Sequence, residues 1–400
     1  MKRRDIIKGL TLLPVAGTVL PFQKASASPA ARKGRDLFKD LGVRTFINAA
    51  GTYTFMTGSL MRDEVVEAIQ ATSKDFCLLD ELQDKVGEKI AALTHAEAAV
   101  VTAGAFSALT LGLAGVLTGK DENKVKQLPF PEQHGMKSEV ICQKGHEIGY
   151  NHALTNTGCR MVIVESVQEL EAAINEKTAM MFFVNIQADQ GKIQHEEWVA
   201  IGKKHGVATA IDIAADVPPV SNLWKFNDMG FDYVVVSGGK AIRGPQSAGI
   251  LMGKKHIIEG ARLHMPPRGA NIGRGMKVNK EEIVGMYVAL ENFMSIDHDK
   301  EFKQFEEMIG RIESAAKTVN GVSTRIFVPQ LGNITPTLEV SWDTSIIKMT
   351  SKDLQEKLRK GNPSIEVMGQ KENSINITVW VMKPGQEKIV AKKLKEALAS

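Results

Sequence analysis

Lys240 closes the segment Ser237-Gly238-Gly239-Lys240, directly after an apolar run, Tyr233 to Val236, that reads as a strand. A lysine there can form a Schiff base with an aldehyde cofactor, and the small residues before it leave room for a flat ring against the backbone. Taken alone, a Gly-Gly-Lys turn is more often a surface turn; its company gives it weight. Asp212 ends another apolar strand, Val207 to Ile211, where a carboxylate is poorly solvated unless a cation or a proton donor meets it. A pyridinium N–H is such a donor, and keeping that proton in place makes the ring an electron sink; an aspartate capping the next turn is the plainer alternative. Ala103-Gly104-Ala105-Phe106-Ser107 joins a third strand, Ala98 to Thr102, to an apolar helix, so the unpaired N–H groups of Gly104, Ala105 and Phe106 and the helix dipole would receive a phosphate. His146, in Gly145-His146-Glu147 after the strand Glu139 to Gln143, is placed to stack on the ring or, alternatively, to face solvent. Ser237 and Arg243 are further candidates for the phosphate end.

A lysine, a strand-end acid, an anion cradle and a stacking group at the carboxyl ends of parallel strands are the parts that pyridoxal 5'-phosphate requires. The expected catalytic residues are therefore Lys240, Asp212 and His146. The expected cofactor contacts are Gly104, Ala105, Phe106, His146, Asp212, Ser237, Lys240 and Arg243. Rival motifs fail: the second histidine of a zinc-protease pattern is replaced by Tyr150, and Gly119-Lys120 lacks the upstream P-loop glycine. No metal site is expected.

Positioning these residues requires a parallel sheet covered by helices, and from about Arg35 the chain alternates between the two periodicities. Helices are predicted over 64–72, 80–93, 107–117, 167–175 and 196–205. Strands are predicted over 98–102, 139–143, 161–165, 180–185, 209–213 and 233–237. A helix-rich stretch, 280–316, leads to a smaller domain with strands near 337–342 and 375–381 and a closing helix over 386–399. The polar segment 121–137, with Pro129 and Pro131, reads as an exposed excursion. The expected fold is α/β, a large mostly parallel sheet domain over 61–290 and a smaller C-terminal α+β domain, with its linking helix, over 291–400, after an N-terminal segment over 28–60.

Composition bounds the partners. Fifty Lys and Arg against 46 Asp and Glu leave a net charge of +4 in 400 residues, with no basic stripe of the kind nucleic acid demands. Cys77, Cys142 and Cys159 form no close pairs and read as buried small apolar residues. Lys2-Arg3-Arg4-Asp5-Ile6-Ile7-Lys8, a short apolar stretch and Ala25-Ser26-Ala27 read as an export signal of the twin-arginine type over 1–27. Broken by Pro14 and Gly17, the stretch falls short of the roughly 20 apolar residues of a membrane span. The expected location is the periplasm, with no membrane contact once the signal is removed.

Phe46-Ile47-Asn48-Ala49-Ala50-Gly51, Ala96 to Thr102, Ile211 to Ala215, Ser237 to Gln246 and Gly273 to Lys280 together resemble the selenocysteine synthase-like branch of fold-type I pyridoxal-phosphate enzymes. That branch includes seryl-tRNA selenium transferase and the glucosaminate-6-phosphate ammonia-lyase type. The resemblance runs from about Leu41 to the C-terminus. It implies that Lys240 holds the cofactor, that Asp212 meets the ring nitrogen, and that the chain forms a homodimer or larger homo-oligomer in which Arg274 or Lys277 approaches a phosphate. The small-domain arginine that grips a substrate carboxylate in many relatives is replaced by Met368, leaving Arg268, Arg274 and Lys383 as substitutes. An exported chain would not meet charged tRNA, which counts against selenium transfer. The expected activity is elimination of the ammonia-lyase type on a small amino acid or amino sugar acid. Racemisation or epimerisation, amino transfer or another transferase reaction, and a non-catalytic binding protein are the alternatives.

Overall fold

The computed structural model describes residues 35–399, so the export signal expected over 1–27 lies outside the described residues. The chain divides after Thr45. In the first unit the described residues, 35–45, hold one helical turn, Leu37–Asp40, whose Lys39 N–H donates to the Asp36 carboxylate at 3.1 Å.

In the second unit, residues 46–400, the strands in chain order are β1 (Ile47–Asn48), β2 (Ala98–Thr102), β3 (Glu139–Gln143), β4 (Arg160–Val164), β5 (Thr178–Val184), β6 (Ala208–Asp212), β7 (Tyr233–Ser237), β8 (Gly249–Gly253), β9 (Val322–Phe327), β10 (Thr337–Trp342), β11 (Ile365–Glu366), β12 (Met368–Lys371) and β13 (Ser374–Thr378). The large sheet has the order β2-β8-β7-β6-β5-β3-β4. All its neighbours pair in parallel except β8, which runs against both β2 and β7. Every residue of β5 is buried, as expected of a central strand covered on both faces. Helix Gly104–Thr118 is apolar almost all round and lies within that core. β8 was not anticipated from sequence. It returns the chain antiparallel, so that β2 and β7, two strands apart, share one direction. The ends of β2, β3, β5, β6 and β7 therefore all point to one edge of the sheet, which is the fold's mostly parallel design.

A second hydrophobic core is built by helices His298–Ala316, Ser351–Arg359 and Gln386–Leu398 against the antiparallel sheet β12-β13-β10-β9. Ile47 and Ala49 belong to it, because β1 pairs in parallel with β11 and the Thr378 N–H donates to the Ala49 carbonyl at 2.9 Å. The residues just before the large domain are thus stitched into the small one. Two local expectations change. The excursion at 121–137 buries Val125, Leu128 and Met136, and Cys77 is exposed while Cys142 and Cys159 are buried.

Candidate active site

A cavity of about 480 Å³ opens at the carboxyl edge of the large sheet, where the small domain faces it. It is walled by the ends of β5 and β6 with the loop after β6, by Lys240 beyond β7, by Ile148 and Tyr150 after β3, by the small-domain sheet with the loop before β10, and by residues 50–54. The last are shaped by Asn48, whose Oδ1 accepts the Ala50 and Gly51 N–H groups at 2.9 and 3.0 Å and whose amide donates to the Gly51 carbonyl at 2.8 Å.

Lys240 and Asp212 both face this cavity. Asp212 stands in register with Val184 of β5 and Val235 of β7 and is 7% exposed. Its Oδ1 accepts the Ala214 N–H at 2.8 Å. Burial raises its pKa above the usual carboxylate range, against the pull of that N–H and of Lys240. Lys240 moves the other way: burial lowers its amine below the ordinary lysine value, partly offset by the Asp212 and Asp216 carboxylates. Its turn is clamped from the N-terminal side. The Ser59 hydroxyl donates to the Lys240 carbonyl at 2.6 Å and to the Gly239 carbonyl at 3.1 Å.

Sequence reasoning missed Asp216. It lies one loop beyond Asp212 on the same wall, is 2% exposed, and its Oδ1 has no hydrogen-bond partner among the described residues. Burial pushes its carboxyl up to about 7; Asn185 and the Gly332 N–H favour its charged form and Asp212 opposes it. Two buried carboxylates thus share the wall with one half-buried amine, so the proton count of the trio is sensitive to whatever enters the cavity.

The expected phosphate cradle begins helix Gly104–Thr118 on the same sheet edge. Gly104 has φ +84, a left-handed conformation that suits glycine, and the N-cap residue, Ala103, offers no side chain to the first N–H groups. The cradle and Ser237, at the end of β7, are not among the residues walling the cavity.

Other expected positions differ. His146 is fully buried in a single 3-10 turn after β3 and lies off the cavity wall. Its ring packs edge-on against Phe183 at 4.4 Å between centroids, and its Nδ1 accepts the Val184 N–H at 3.3 Å. Burial drives its pKa down to about 4, so it is a neutral ring. It supports the end of β5, while Ile148 and Tyr150 line the cavity. Arg243, at φ +56, donates from Nη2 to the Trp380 carbonyl at 2.6 Å and sits beside the Arg62–Glu301 ion pair of 3.2 Å, which braces the wall carrying Trp380. Gly238 and Gly239 are small for the protein's own packing. A Cβ on the first would stand 2.2 Å from the Met286 sulfur, and on the second 2.5 Å from the Gln246 Cα. Met368 does line the cavity, whereas Arg268, Arg274 and Lys383 do not; Arg268 is paired with Asp80 at 3.2 Å.

A sequence model of the family described as aminotransferase class-V matches residues 70–276, just over half of the chain. The chain belongs to the class-V aminotransferase family. It is a pyridoxal-phosphate-dependent enzyme, a lyase or transferase, with the fold-type I architecture. Among this family member's relatives is a D-glucosaminate-6-phosphate ammonia lyase of Salmonella typhimurium (strain 14028s / SGSC 2262), 27% identical over 341 residues covering 82% of this chain and 88% of the relative. A 5'-C-glycyluridine monooxygenase-decarboxylase of Streptomyces sp is 25% identical over 376 residues, covering 90% and 92%. A solved D-glucosaminate-6-phosphate ammonia-lyase superposes with a TM-score of 0.77 at 24% identity over 91% of this chain and 98% of that one, which shows the shared fold. The geometry suits the family's cofactor. A half-buried amine with its pKa lowered, a strand-end carboxylate with one N–H partner and a glycine-led helix terminus without a side-chain cap lie along one sheet edge.

Proposed function

We propose that this chain catalyses elimination at the amine-bearing carbon of an amino acid or amino sugar acid, releasing ammonia. The observation that carries the reading is the Lys240 amine, half-buried on the cavity wall with the buried Asp212 and Asp216. Pyridoxal phosphate, when bound, supplies the sink for the electron pair left as a proton departs from that carbon. Lys240 would hold its aldehyde carbon, Asp212 its ring N–H, and the Gly104, Ala105 and Phe106 N–H groups its phosphate. Burial keeps a larger share of the Lys240 amine neutral than in an exposed lysine, so Nζ can accept the substrate's proton once the substrate amine has taken its place. Asp212, whose burial makes bare charge costly, gains a proton donor and so keeps that proton on the nitrogen. Asp216, raised to about 7, can give a proton to a hydroxyl leaving the neighbouring carbon as water, after which hydrolysis by a second water releases the nitrogen as ammonia and leaves a keto acid. The relative that acts as an ammonia lyase supports elimination over the other outcomes of the same proton abstraction.

The test is a screen of D- and L-amino acids and amino sugar acids with the loaded enzyme, following ammonia, keto acid and optical rotation together. Ammonia and keto acid appearing in equal amounts are expected, along with their loss in Lys240→Ala. Optical rotation decaying without ammonia would instead make the enzyme an epimerase, and no spectral response to any amine would make it a binding protein.

The same reading extends to place and assembly. Arg3-Arg4 supports twin-arginine export of a protein loaded with cofactor before it crosses the membrane; replacing both with Lys should abolish periplasmic accumulation. Phe55, Leu60, Phe76 and Leu78, all between residues 55 and 78, are large apolar side chains left exposed in the single chain, which favours a homodimer or larger assembly. Sedimentation of the purified enzyme measures this directly.

A further inference from the structure

A hydrogen-bond chain leads away from Asp216 into the large domain. Asn185, buried where β5 ends, hydrogen-bonds the Asp216 carboxyl through its side chain. Behind it stands His195, the first residue of helix His195–His205, with Nε2 2.8 Å from the Asn185 Oδ1. An amide oxygen only accepts, so Nε2 carries the hydrogen and donates it, which leaves the N–H side of the amide for Asp216. The imidazole is caged by Phe183, Phe226 and Phe231, at 4.4, 5.5 and 6.5 Å between ring centroids. Burial and the Lys225 ammonium bring its pKa down to about 4 against the pull of Glu196, so the ring is neutral and has a single N–H. His195 does not line the cavity, and its effect there runs through Asn185. The direction of that amide decides what Asp216 meets. An amide N–H stabilises a carboxylate, whereas an amide oxygen accepts from a carboxylic acid and stabilises the protonated form. A free amide can turn over to suit either, and the histidine removes that choice.

We propose that His195 is a positioning residue of the site: its Nε2–H holds the Asn185 amide in the orientation that presents N–H, not oxygen, to Asp216. The inference rests on the reading of Asp216 as the proton donor of the elimination and adds to it the residue that governs that donor. The other groups facing Asp216 are Asp212 at the end of β6, Lys240 in the turn after β7 and the Gly332 N–H before β10. Those facing His195 are Lys225 of helix Asn222–Met229, Glu196 and His146. All of them stay in place when His195 is replaced.

The experiment compares His195→Phe, which fits the aromatic cage without a donor, with His195→Gln, whose amide N–H takes the place of Nε2–H. The first readout is the Asp216 titration in the cofactor-loaded enzyme, followed by carboxyl-carbon NMR with labelled aspartate; the Asp216 signal is the one lost in Asp216→Asn. The second is the pH dependence of ammonia release from D-glucosaminate. His195→Phe should raise the Asp216 titration by at least about one pH unit, the scale of one hydrogen bond to a charged group, and His195→Gln should keep it near wild type. The acid form is the donor, so the alkaline limb of kcat should move up by the same interval in His195→Phe. Asn185→Leu should raise the titration as well, and His195→Phe added to it should shift nothing further. An unmoved titration in His195→Phe overturns the proposal, as does an equal shift in His195→Gln or an added shift in the Asn185→Leu background. A titration that moves as expected while the alkaline limb stays put, or while no ammonia is released, would leave the positioning role standing and overturn only the part given to Asp216 in elimination.

Discussion

The two walls of the cavity divide the labour between them. The large-sheet wall holds charge that burial has pushed away from its ordinary titration: Asp212 and Asp216 upward, Lys240 downward. The small-domain wall is neutral, with Asn333, Gln370, Asn376 and Thr378 among the residues that line it. Groups with displaced pKa values move protons, whereas neutral groups with fixed directions recognise shape and hydroxyl pattern. Reaction type should therefore follow the first wall and substrate choice the second. That division can be broken from either side.

The largest effect belongs to Lys240→Ala. Removing the amine should lower turnover on the order of a thousandfold or more. Borohydride treatment of the loaded wild-type protein should leave a cofactor-sized mass on the peptide carrying Lys240, and the variant should show none. Asp212→Asn comes next. A neutral amide cannot stabilise a protonated ring nitrogen, so kcat should fall on the order of a hundredfold while KM for the substrate stays within a few-fold. A larger change in KM than in kcat would place Asp212 in recognition and blur the two walls into one.

The first wall was partly legible in the sequence and the second hardly at all. Asp212 ends one apolar strand and Lys240 lies in the turn just after another, and strand ends in a parallel sheet share an edge, so periodicity brings these two residues to one edge. His146 also follows a strand, yet the 3-10 turn after β3 swings its ring into the core against Phe183, a rotation that no strand pattern encodes. Gly238 and Gly239 look like room for a ring until the Met286 sulfur and the Gln246 backbone are seen filling that space. β8 was missed because Gly-Ile-Leu-Met-Gly is a short unalternating run bounded by glycines. Asp216 lies past the end of β6, where side-chain direction is set by the loop. For β13 the alternation of Ile375 and Ile377 with Asn376 and Thr378 is plain, but a polar face reads the same whether solvent or a cavity lies beyond it.

Asp216→Asn probes the first wall without touching Lys240. In the folded protein this carboxyl titrates near 7, and in the unfolded chain near ~4. Between those values the folded state holds the proton more tightly, so stability falls as pH rises from about 4 to about 7 and stays at its reduced level above. Asn mimics the protonated form. The cofactor-free variant should match wild type near pH 4 and exceed it by roughly 4 kcal/mol at pH 8, read from urea midpoints at the two pH values. Asp212, also raised, leaves a residual slope of the same sign in the variant. Equal stability at both pH values would mean that the carboxyl is not held neutral by burial.

The smallest expected effect tests the second wall by adding what it lacks. Met368 lines the cavity on β12, where an arginine would introduce a cation among neutral groups. If that wall receives the far end of the substrate, Met368→Arg should tighten D-glucosaminate 6-phosphate by up to about tenfold, the scale of one charge-assisted contact. D-glucosaminate itself should be unaffected or slightly weakened. The preference between the two amines would then shift with no change in the cofactor's absorbance before substrate is added, because Lys240 and Asp212 lie on the other wall. A shift in that resting spectrum would show that the walls are electrostatically coupled, and unchanged binding of both amines would place the substrate's far end away from Met368.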